Sequence, residues 1–591
     1  MRSCLSRLRA VLALSLGFVG LLLAVPLMAY VGPSWQGPGY QETPINSTSP
    51  DAGLVSESYV SLYEPLPASD GPHPAACDRI GYLRFRAASG PSNPENADAI
   101  YVTQPGILEG AGALDQVARN TIIDAEQKGY HVELWALSRR SNCLVDSTGI
   151  AAAIAAHNPN VAFNYYFGGQ PINGQTFAGV VSESNAAWLS HIGLAQTVQD
   201  EYDVISQLPP SVREDKVLCG GHSLGGLITG AFANWDFSPP GDAGDPAYAG
   251  YNQCAGYFSL ESRFEFTSAT SVLSGPLSGL LNGILGAIST HAPYIDVPPA
   301  TPETEYALPI LGMASYWSPN ARSAFLAQFP KDFDFNSTYD LLLADKLSDF
   351  VVGKPDARTV NATNQAVIGV VFGQNSQPFA FLRAALGAPT GGPLVAKNFP
   401  VAFNSAPQDG GLLGGQAQVA VSPTGAESSG PLYTWLNYNQ ITQPLYLASE
   451  PTVPYATPTT EVSDIVQFSR TLFEAAPALF TEVYFPTQLA EDSIALGAGD
   501  RGGSLADMRY TNGTSMHPAA YVDGGSGLAK VIDPTNSLIP ASPPPLVHVV
   551  APGYNHLDVI TAARVQNNGQ PELSSSTLAS WMEQVVGPPA P

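Results

Sequence analysis

Between residues 77 and 262, short apolar runs alternate with amphipathic stretches. Residues 80–86 alternate apolar and polar positions as a half-exposed strand does, and residues 99–103 form the continuous apolar run of a buried strand. The stretch 113–128 has apolar positions at helical spacing and ends at Gly129, which favours a helix stop. Strands that alternate with helices of this length predict βαβ units and a mainly parallel sheet.

This alternation of strand and helix patterns ends after residue 262 and resumes after residue 505. The intervening residues hold Gly/Ser/Leu segments, Pro-rich loops and late helical runs, which indicates an inserted cap. Apolar runs at 518–522 and 546–550 then complete the sheet before a final helix. The chain therefore divides into a signal peptide or N-terminal anchor at 1–29, a Pro/Gly/Ser-rich linker at 30–76, the first part of the core at 77–262, the inserted cap at 263–505 and the second part of the core at 506–591.

One pentapeptide carries the candidate chemistry. Gly-His-Ser-Leu-Gly at 221–225 fits G-x-S-x-G, with an apolar run before it and a Gly/Ala-rich helical run after it. In this motif the serine lies at a tight strand-to-helix turn above a parallel sheet, and the flanking glycines leave room for the strained backbone. The helix also directs free N–H groups at the reacting centre. Ser223 is the predicted nucleophile.

A serine nucleophile needs a base, and three histidines follow the cap: His517, His548 and His556. On such a sheet the order along the chain is serine, acid, histidine, with the histidine on the loop after the last strand. His548 lies inside an apolar strand run, and His517 lies at a strand entrance. His556 follows the final strand in a Gly-Tyr-Asn turn, so it is the predicted base.

Four further patches resemble the acid lipase family, which includes gastric and lysosomal lipases. Pro-Gly-Tyr-Asn-His-Leu-Asp-Val-Ile at 552–560 resembles the family's histidine loop, P-Y-N-H-L-D-F-I, and 518–528 resembles the preceding strand with its G-G-N-D turn. Gln-Pro-Gly-Ile-Leu at 104–108 resembles Q-H-G-L-L, and 132–142 is similar to D-V-W-L-G-N-S-R-G-N. The resemblance covers both parts of the core but not the cap. It implies the α/β-hydrolase fold, a mainly parallel central sheet with helices on both faces and a large inserted cap.

The same resemblance implies where the oxyanion hole lies. Pro105 and Gly106 stand where the family has His-Gly in the loop that supplies one donor. Because that donor is a backbone N–H group, we expect the N–H of Ile107 to serve beside the N–H of Leu224.

The triad acid departs from the family pattern. The family's aspartate falls on Gly527, so the expected carboxylate is missing. Glu261 is one replacement, because it ends the strand after the elbow, from which pancreatic lipases supply the acid. Asp523 is the other, because it lies four residues before the vacant position at the end of the usual strand. The sequence leaves both open.

The amino-terminal sequence predicts the cellular location of the protein. Arg2, Arg7 and Arg9 precede an uncharged apolar run at 10–29, the plan of a signal peptide. The run is also long enough to span a bilayer, so the segment is either cleaved or kept as an anchor that associates with the membrane. The predicted location is secreted or at the cell surface.

Charge and cysteine content refine this picture. A net charge of −25 argues against nucleic-acid partners, because a polyanion repels such a surface. Four cysteines outside the leader permit the disulfides Cys77–Cys143 and Cys219–Cys254 in an exported chain. Buried free thiols are the alternative for the second pair.

The predicted function is therefore an exported serine hydrolase, lipase- or esterase-like, that cleaves carboxylic esters through an acyl-enzyme on Ser223 with His556 as base. A small-molecule or lipid ester is the expected substrate, and no metal or organic cofactor is expected. Apolar positions at 273–288 indicate either a mobile lid or packed core. Two alternatives remain: hydrolysis of another acyl bond (thioester, polyester or peptide), and a catalytically inactive hydrolase relic that acts as a surface binding module, which Gly527 would favour.

Overall fold

A nine-stranded sheet runs through the protein from residue 41 to residue 551. The computed structural model describes residues 39–239, 241–265, 292–400, 417–423, 429–529 and 546–589. Its strands are β1 (Gln41–Ile45), β2 (Val55–Tyr63), β3 (Arg79–Ala87), β4 (Ala99–Gln104), β5 (Val132–Ser138), β6 (Val217–His222), β7 (Gly256–Leu260), β8 (Gly387–Thr390), β9 (Leu394–Ala396), β10 (Val419–Val421), β11 (Thr434–Asn437), β12 (Leu445–Leu447), β13 (Glu450–Ala456), β14 (Ala519–Gly524) and β15 (Leu546–Ala551). Its α-helices are α1 (Asp115–Gln127), α2 (Thr148–Ala156), α3 (Pro159–Tyr166), α4 (Leu194–Ile205), α5 (Pro210–Lys216), α6 (Leu224–Ala233), α7 (Pro302–Trp317), α8 (Phe333–Leu343), α9 (Leu347–Val352), α10 (Asn364–Phe372), α11 (Ile465–Thr471), α12 (Thr487–Gly497), α13 (Asp558–Thr561) and α14 (Leu573–Val586).

The strand order is β1-β2-β3-β5-β4-β6-β7-β14-β15. The six strands from β5 to β15 pair in parallel, and β1, β2 and β3 add antiparallel partners at one edge. Parallel neighbours bring the carboxyl ends of β4, β6, β7, β14 and β15 to the same edge, where the loops that carry a site meet. The mainly parallel sheet predicted from the alternating pattern is confirmed.

Helices cover both faces of this sheet. On one face α1 and α14 pack on Tyr101, Leu218 and Phe258, and on the other α4 and α6 pack on the neighbouring residues of the same strands. Successive side chains of a strand point to opposite faces, so continuous apolar runs are needed where both faces are buried. The central strands have this pattern.

The predicted linker at 30–76 contains two strands of the sheet, β1 and β2, in its described part. The prediction of a linker is wrong for these residues because β2 carries polar side chains at buried positions, so local composition did not indicate a strand. Glu57 is 5 % exposed, and its carboxylate pairs with Arg119 of α1. A charge that is neutralised by a partner 62 positions along the chain leaves no local apolar signal.

Both disulfides named from the sequence are present. Cys77 bonds to Cys143, and Cys219 on β6 bonds to Cys254 just before β7. The alternative of free thiols in the second pair is therefore wrong. This second bridge fastens the strand that precedes the elbow to its neighbour in the sheet.

The predicted signal segment and the apolar stretch at 273–288 lie outside the described residues. Among the residues that are described, no helix is long and apolar enough to cross a membrane. Between β7 and β14, the described part of the cap region holds helices α7 to α12 and three two-stranded antiparallel sheets, β9–β10, β8–β11 and β12–β13.

Candidate active site

Ser223 lies at a sharp turn between β6 and α6. Its backbone has φ 54° and ψ −120°, a region that non-glycine residues rarely adopt and that marks strained functional turns. Glycine is required on both sides. A Cβ on Gly221 would collide with the backbone of Gly225, and a Cβ on Gly225 would collide with the carbonyl of Gln104. The predicted elbow is present in the backbone.

Replacing Gly225 by alanine is expected to displace the loop after β4, because the new methyl would overlap backbone atoms of that loop. We expect a loss of about 1–3 kcal/mol in the free energy of unfolding and a fall in kcat of about 10²-fold, the cost of misplacing one oxyanion donor. Thermal unfolding and ester turnover measure the two effects. Gly53→Ala is the matched control because a Cβ there meets no atom within 4 Å. Equal behaviour of the two variants would contradict the expectation.

The loop after β4 brings Ile107 next to the nucleophile. Within the described part of the chain, the N–H groups of Ile107 and Leu224 have no hydrogen-bond partner. Arg139 holds this loop by donating to the carbonyls of Pro105 (2.6 Å) and Gly106 (3.0 Å). Two free donors on a fastened loop and a helix N-terminus are what an oxyanion hole requires.

His556 lies on the loop after β15 and lines the same cavity as Ser223. It is 3 % exposed. Burial and the neighbouring His222 hold the pKa of His556 below its ordinary value. A lowered pKa keeps the imidazole neutral, as a base must be. The next residues fasten this loop, because Asp558 accepts from the N–H groups of Asn555 (2.7 Å) and Ala385 (2.8 Å).

Glu261 is the predicted acid that lies beside His556. Its carboxylate is 3.9 Å from His556 Nδ1 and accepts from the N–H groups of Gly524 and Ala529 (the latter at 2.6 Å). Its φ is 49°, so Glu261, like Ser223, lies in the left-handed region that non-glycine residues rarely adopt. A Cβ on Gly527 would collide with Oε1 of the Glu261 carboxylate. The space beside Gly527, where the resemblance to acid lipases predicts an aspartate, is therefore filled by the carboxylate of the residue that follows β7.

Asp523, the alternative acid, makes other bonds. Both of its oxygens accept from the guanidinium of Arg263 (2.8 and 2.9 Å), and one contacts His548 Nε2 at 2.8 Å. Burial opposes ionisation, but His548 and Arg263 together hold the pKa of Asp523 below its ordinary value. His548, on β15, thus has a partner of its own.

The sheet, the turn at Ser223 and the loop of His556 together identify the fold. A nine-stranded sheet with this strand order carries a serine on a strained strand-to-helix turn and a histidine after the last strand. The chain has the α/β-hydrolase fold. No family model and no curated protein sequence matches it.

Several solved structures with this fold resemble the chain weakly. A Sulfolobus solfataricus protein assigned as a lipase is 11 % identical (TM-score 0.39), with 92 % of this chain and 99 % of that one covered. Epoxide hydrolase A from Mycobacterium thermoresistibile is also 11 % identical (TM-score 0.32), with 85 % and 94 % covered. The α/β hydrolase GrgF from Penicillium sp. sh18 is 9 % identical (TM-score 0.32), with 90 % and 99 % covered. The fold assignment therefore rests on the sheet and the elbow, and the resemblance to acid lipases stays a prediction.

An apolar cavity opens onto Ser223 within this hydrolase fold. It has a volume of about 140 Å³. The core contributes Ser223, Ile107, His556 and the Glu109 carboxylate, which pairs with His222. Cap helices α7, α8 and α10 contribute mostly aliphatic and aromatic side chains. Glu305 on α7 also lines it, and burial raises the pKa of this carboxyl to about 8, so it is uncharged at neutral pH. The cavity suits an apolar group.

Metal binding has one candidate among the described residues, the buried carboxylates of Glu57, Asp115 and Glu474. Arg119 and Arg470 already pair with them. The two guanidinium groups take the place that a cation would have, so this cluster is an ion-pair network that joins β2, α1 and α11.

The sequence missed three residues that surround Ser223. Glu109 and His222 form a buried pair next to it, and Arg139 anchors the loop of Ile107. His222 is the variable position of the pentapeptide, and Glu109 lies three residues after Gly106, so proximity to both motifs was the available signal.

Proposed function

We propose that this chain is an exported serine hydrolase that cleaves carboxylic esters with an apolar acyl group. The shared cavity carries the proposal: Ser223, on its strained turn, and His556, with Glu261 beside it, line the same apolar space. Export, and any contact of the N-terminal segment with a membrane, is supported by the predicted signal segment alone.

In the proposed reaction, Ser223 Oγ attacks the ester carbonyl carbon while His556 takes its proton. The N–H groups of Ile107 and Leu224 stabilise the oxyanion. The intermediate collapses, and the alcohol leaves with the proton from His556. A water molecule that His556 deprotonates then attacks the acyl-enzyme, which releases the acid and restores Ser223. Glu261 would hold the proton on Nδ1, and its 3.9 Å separation is the loose geometry common before substrate binds.

The cavity volume limits the acyl group. Apolar cavities of about 150 Å³ bind a molecule the size of benzene. At about 140 Å³ the cavity lined by α7, α8 and α10 has comparable room. Esters of medium-chain acids therefore fit better than acetyl esters, which leave it empty, or long-chain esters, which exceed it.

The filled space at Gly527 favours an enzyme over a surface binding module. A missing aspartate was the main reason to consider an inactive relic. The Glu261 carboxylate occupies that space and lies next to His556, which supports a working triad.

The acyl-chain profile tests this proposal. With p-nitrophenyl acetate, butyrate, octanoate and palmitate, we expect kcat/KM to rise to butyrate or octanoate and to fall at palmitate. Each buried methylene contributes about 0.8 kcal/mol, or about fourfold, until the cavity is full. No hydrolysis of any of these activated esters would reject the proposed function.

Val370→Phe is expected to shift that profile because Val370 of α10 lines the cavity and the larger ring occupies part of it. We expect kcat/KM for octanoate to fall by about tenfold or more while acetate changes less than threefold, since about two methylenes of burial are lost. Val351→Phe makes the same change at a cap position that is 72 % exposed and should leave the profile intact. Parallel losses for all esters in Val370→Phe would place the acyl group elsewhere.

A further inference from the structure

Another carboxylate–histidine pair, Glu109 and His222, is buried next to the nucleophile. His222 is fully buried, its Nδ1 is 2.9 Å from Glu109 Oε2, and its Nε2 is 3.0 Å from the carbonyl oxygen of His556. Both nitrogens therefore face oxygen acceptors. An imidazole that donates from both nitrogens carries a positive charge.

Glu109 connects this pair to the oxyanion loop. Its carboxylate also accepts from the N–H of Gly106 at 2.7 Å. A Cβ on Gly106 would meet both that carboxylate and the Cβ of Ser223 within 3 Å, so the three groups are in close contact. The pair thus touches the elbow, the oxyanion loop and the histidine loop at once.

We propose that the Glu109–His222 ion pair is a positioning unit of the site: it holds the oxyanion loop and the histidine loop against Ser223 and places a positive charge beside His556. This inference rests on the proposed hydrolase function. Glu109 and His222 act through Gly106 and His556, and neither takes part in bond making.

The electrostatics agree with the hydrogen bonds. Burial opposes the charged forms, but Glu109 raises the pKa of His222, and His222 lowers the pKa of Glu109. The His222 and His556 rings are 4.6 Å apart, close enough for the charge of one to lower the pKa of the other.

Three charged groups face His556: His222 from the elbow, Glu109 from the oxyanion loop and Glu261 from the loop after β7. The positive charge of His222 disfavours protonation of His556 and the two carboxylates favour it, but burial and His222 outweigh them, so the pKa of His556 is lowered. The base consequently stays neutral below the usual histidine pKa of about 6.5, and the enzyme keeps activity in mildly acidic solution.

The decisive experiment compares Glu109→Gln, His222→Gln and the double variant in the full-length protein. The pH dependence of kcat and KM is measured with p-nitrophenyl butyrate, and histidine protonation is read by NMR of protein with ¹⁵N-labelled histidine. We expect Glu109→Gln to lower kcat about 10- to 100-fold with KM changed less than threefold, and to convert His222 from imidazolium to neutral imidazole at pH 7. We expect His222→Gln to move the acid limb of kcat/KM to higher pH by about half a unit or more.

In the double variant, kcat should fall by less than the product of the two single-variant reductions, because two neutral amides leave no unpaired charge in the interior. His548→Gln is the control: it removes another carboxylate-bound histidine, away from the cavity lining, and should leave kcat and the acid limb unchanged.

An uncharged His222 in the wild type at pH 7 would overturn the inference, as would an unmoved acid limb in a folded His222→Gln. If the single variants fail to fold, the NMR signal of His222 in the wild type still shows whether this histidine is charged. If the wild type hydrolyses no ester, the proposed function fails, whereas the charge of His222 is measured independently of turnover.

Discussion

Ser223→Ala is expected to lower kcat/KM for p-nitrophenyl butyrate by about 10⁵-fold, the scale of losing a serine nucleophile whose partners then have nothing to activate. Among the residues that the structure describes, Ser223 is the one hydroxyl that combines a strained turn with a place in the cavity that His556 also lines. Alanine removes only the hydroxyl and is compatible with the flanking glycines, so the variant should fold.

Turnover under saturating and subsaturating substrate measures this loss, with thermal unfolding to confirm that the variant is intact. Ser580→Ala is the matched control, since Ser580 is exposed on α14. Residual activity within tenfold of the wild type would mean that another group performs the chemistry.

Glu261→Gln is expected to lower kcat by about 10³- to 10⁴-fold, as amide replacement of a triad carboxylate does when the histidine adopts the wrong tautomer. The reason is the position of its carboxylate, 3.9 Å from His556 Nδ1 and held by two backbone N–H groups. Asp523→Asn should cost less than tenfold, because Asp523 binds Arg263 and His548 instead. Steady-state kinetics on the same ester compares the two, and the reverse ranking would assign the acid to Asp523.

Moving the carboxylate to position 527, where the resemblance to acid lipases predicts an aspartate, gives a sharper test. The Cβ of residue 527 would fall where the Glu261 carboxylate now lies, and the φ of Gly527 is outside the left-handed region. Glu261→Ala/Gly527→Asp should therefore recover at least tenfold of the kcat lost in Glu261→Ala. If kcat does not recover although both proteins are folded, a carboxylate in this space is not sufficient to act as the triad acid.

The parallel sheet, the turn at Ser223 and the place of His556 after the last strand could be predicted because their signals are local. The glycines around Ser223 and the turn before His556 are determined by backbone geometry within a few residues. The acid could not be decided locally. Glu261 and Gly527 are far apart in sequence, and their complementarity is visible only where β7 and β14 lie side by side.

The edge strands and the buried pair were missed for a related reason. Glu57 on β2 and Glu109 on the oxyanion loop are polar residues whose burial depends on distant partners, Arg119 and His222. Hydrophobic periodicity assigns such residues to the surface. Few elements of the cap could be predicted from the sequence. Its short helices and two-stranded sheets are stabilised by contacts with each other, and the sequence there shows no repeating hydrophobic pattern.

The most direct measurement of the central claim is the site of covalent labelling by a fluorophosphonate probe, read by peptide mass spectrometry. We expect one adduct per chain on Ser223, formed about 10³-fold more slowly in His556→Gln because the hydroxyl then lacks its base. An intact wild-type protein that remains unlabelled, or an adduct on any other residue, would contradict the assignment.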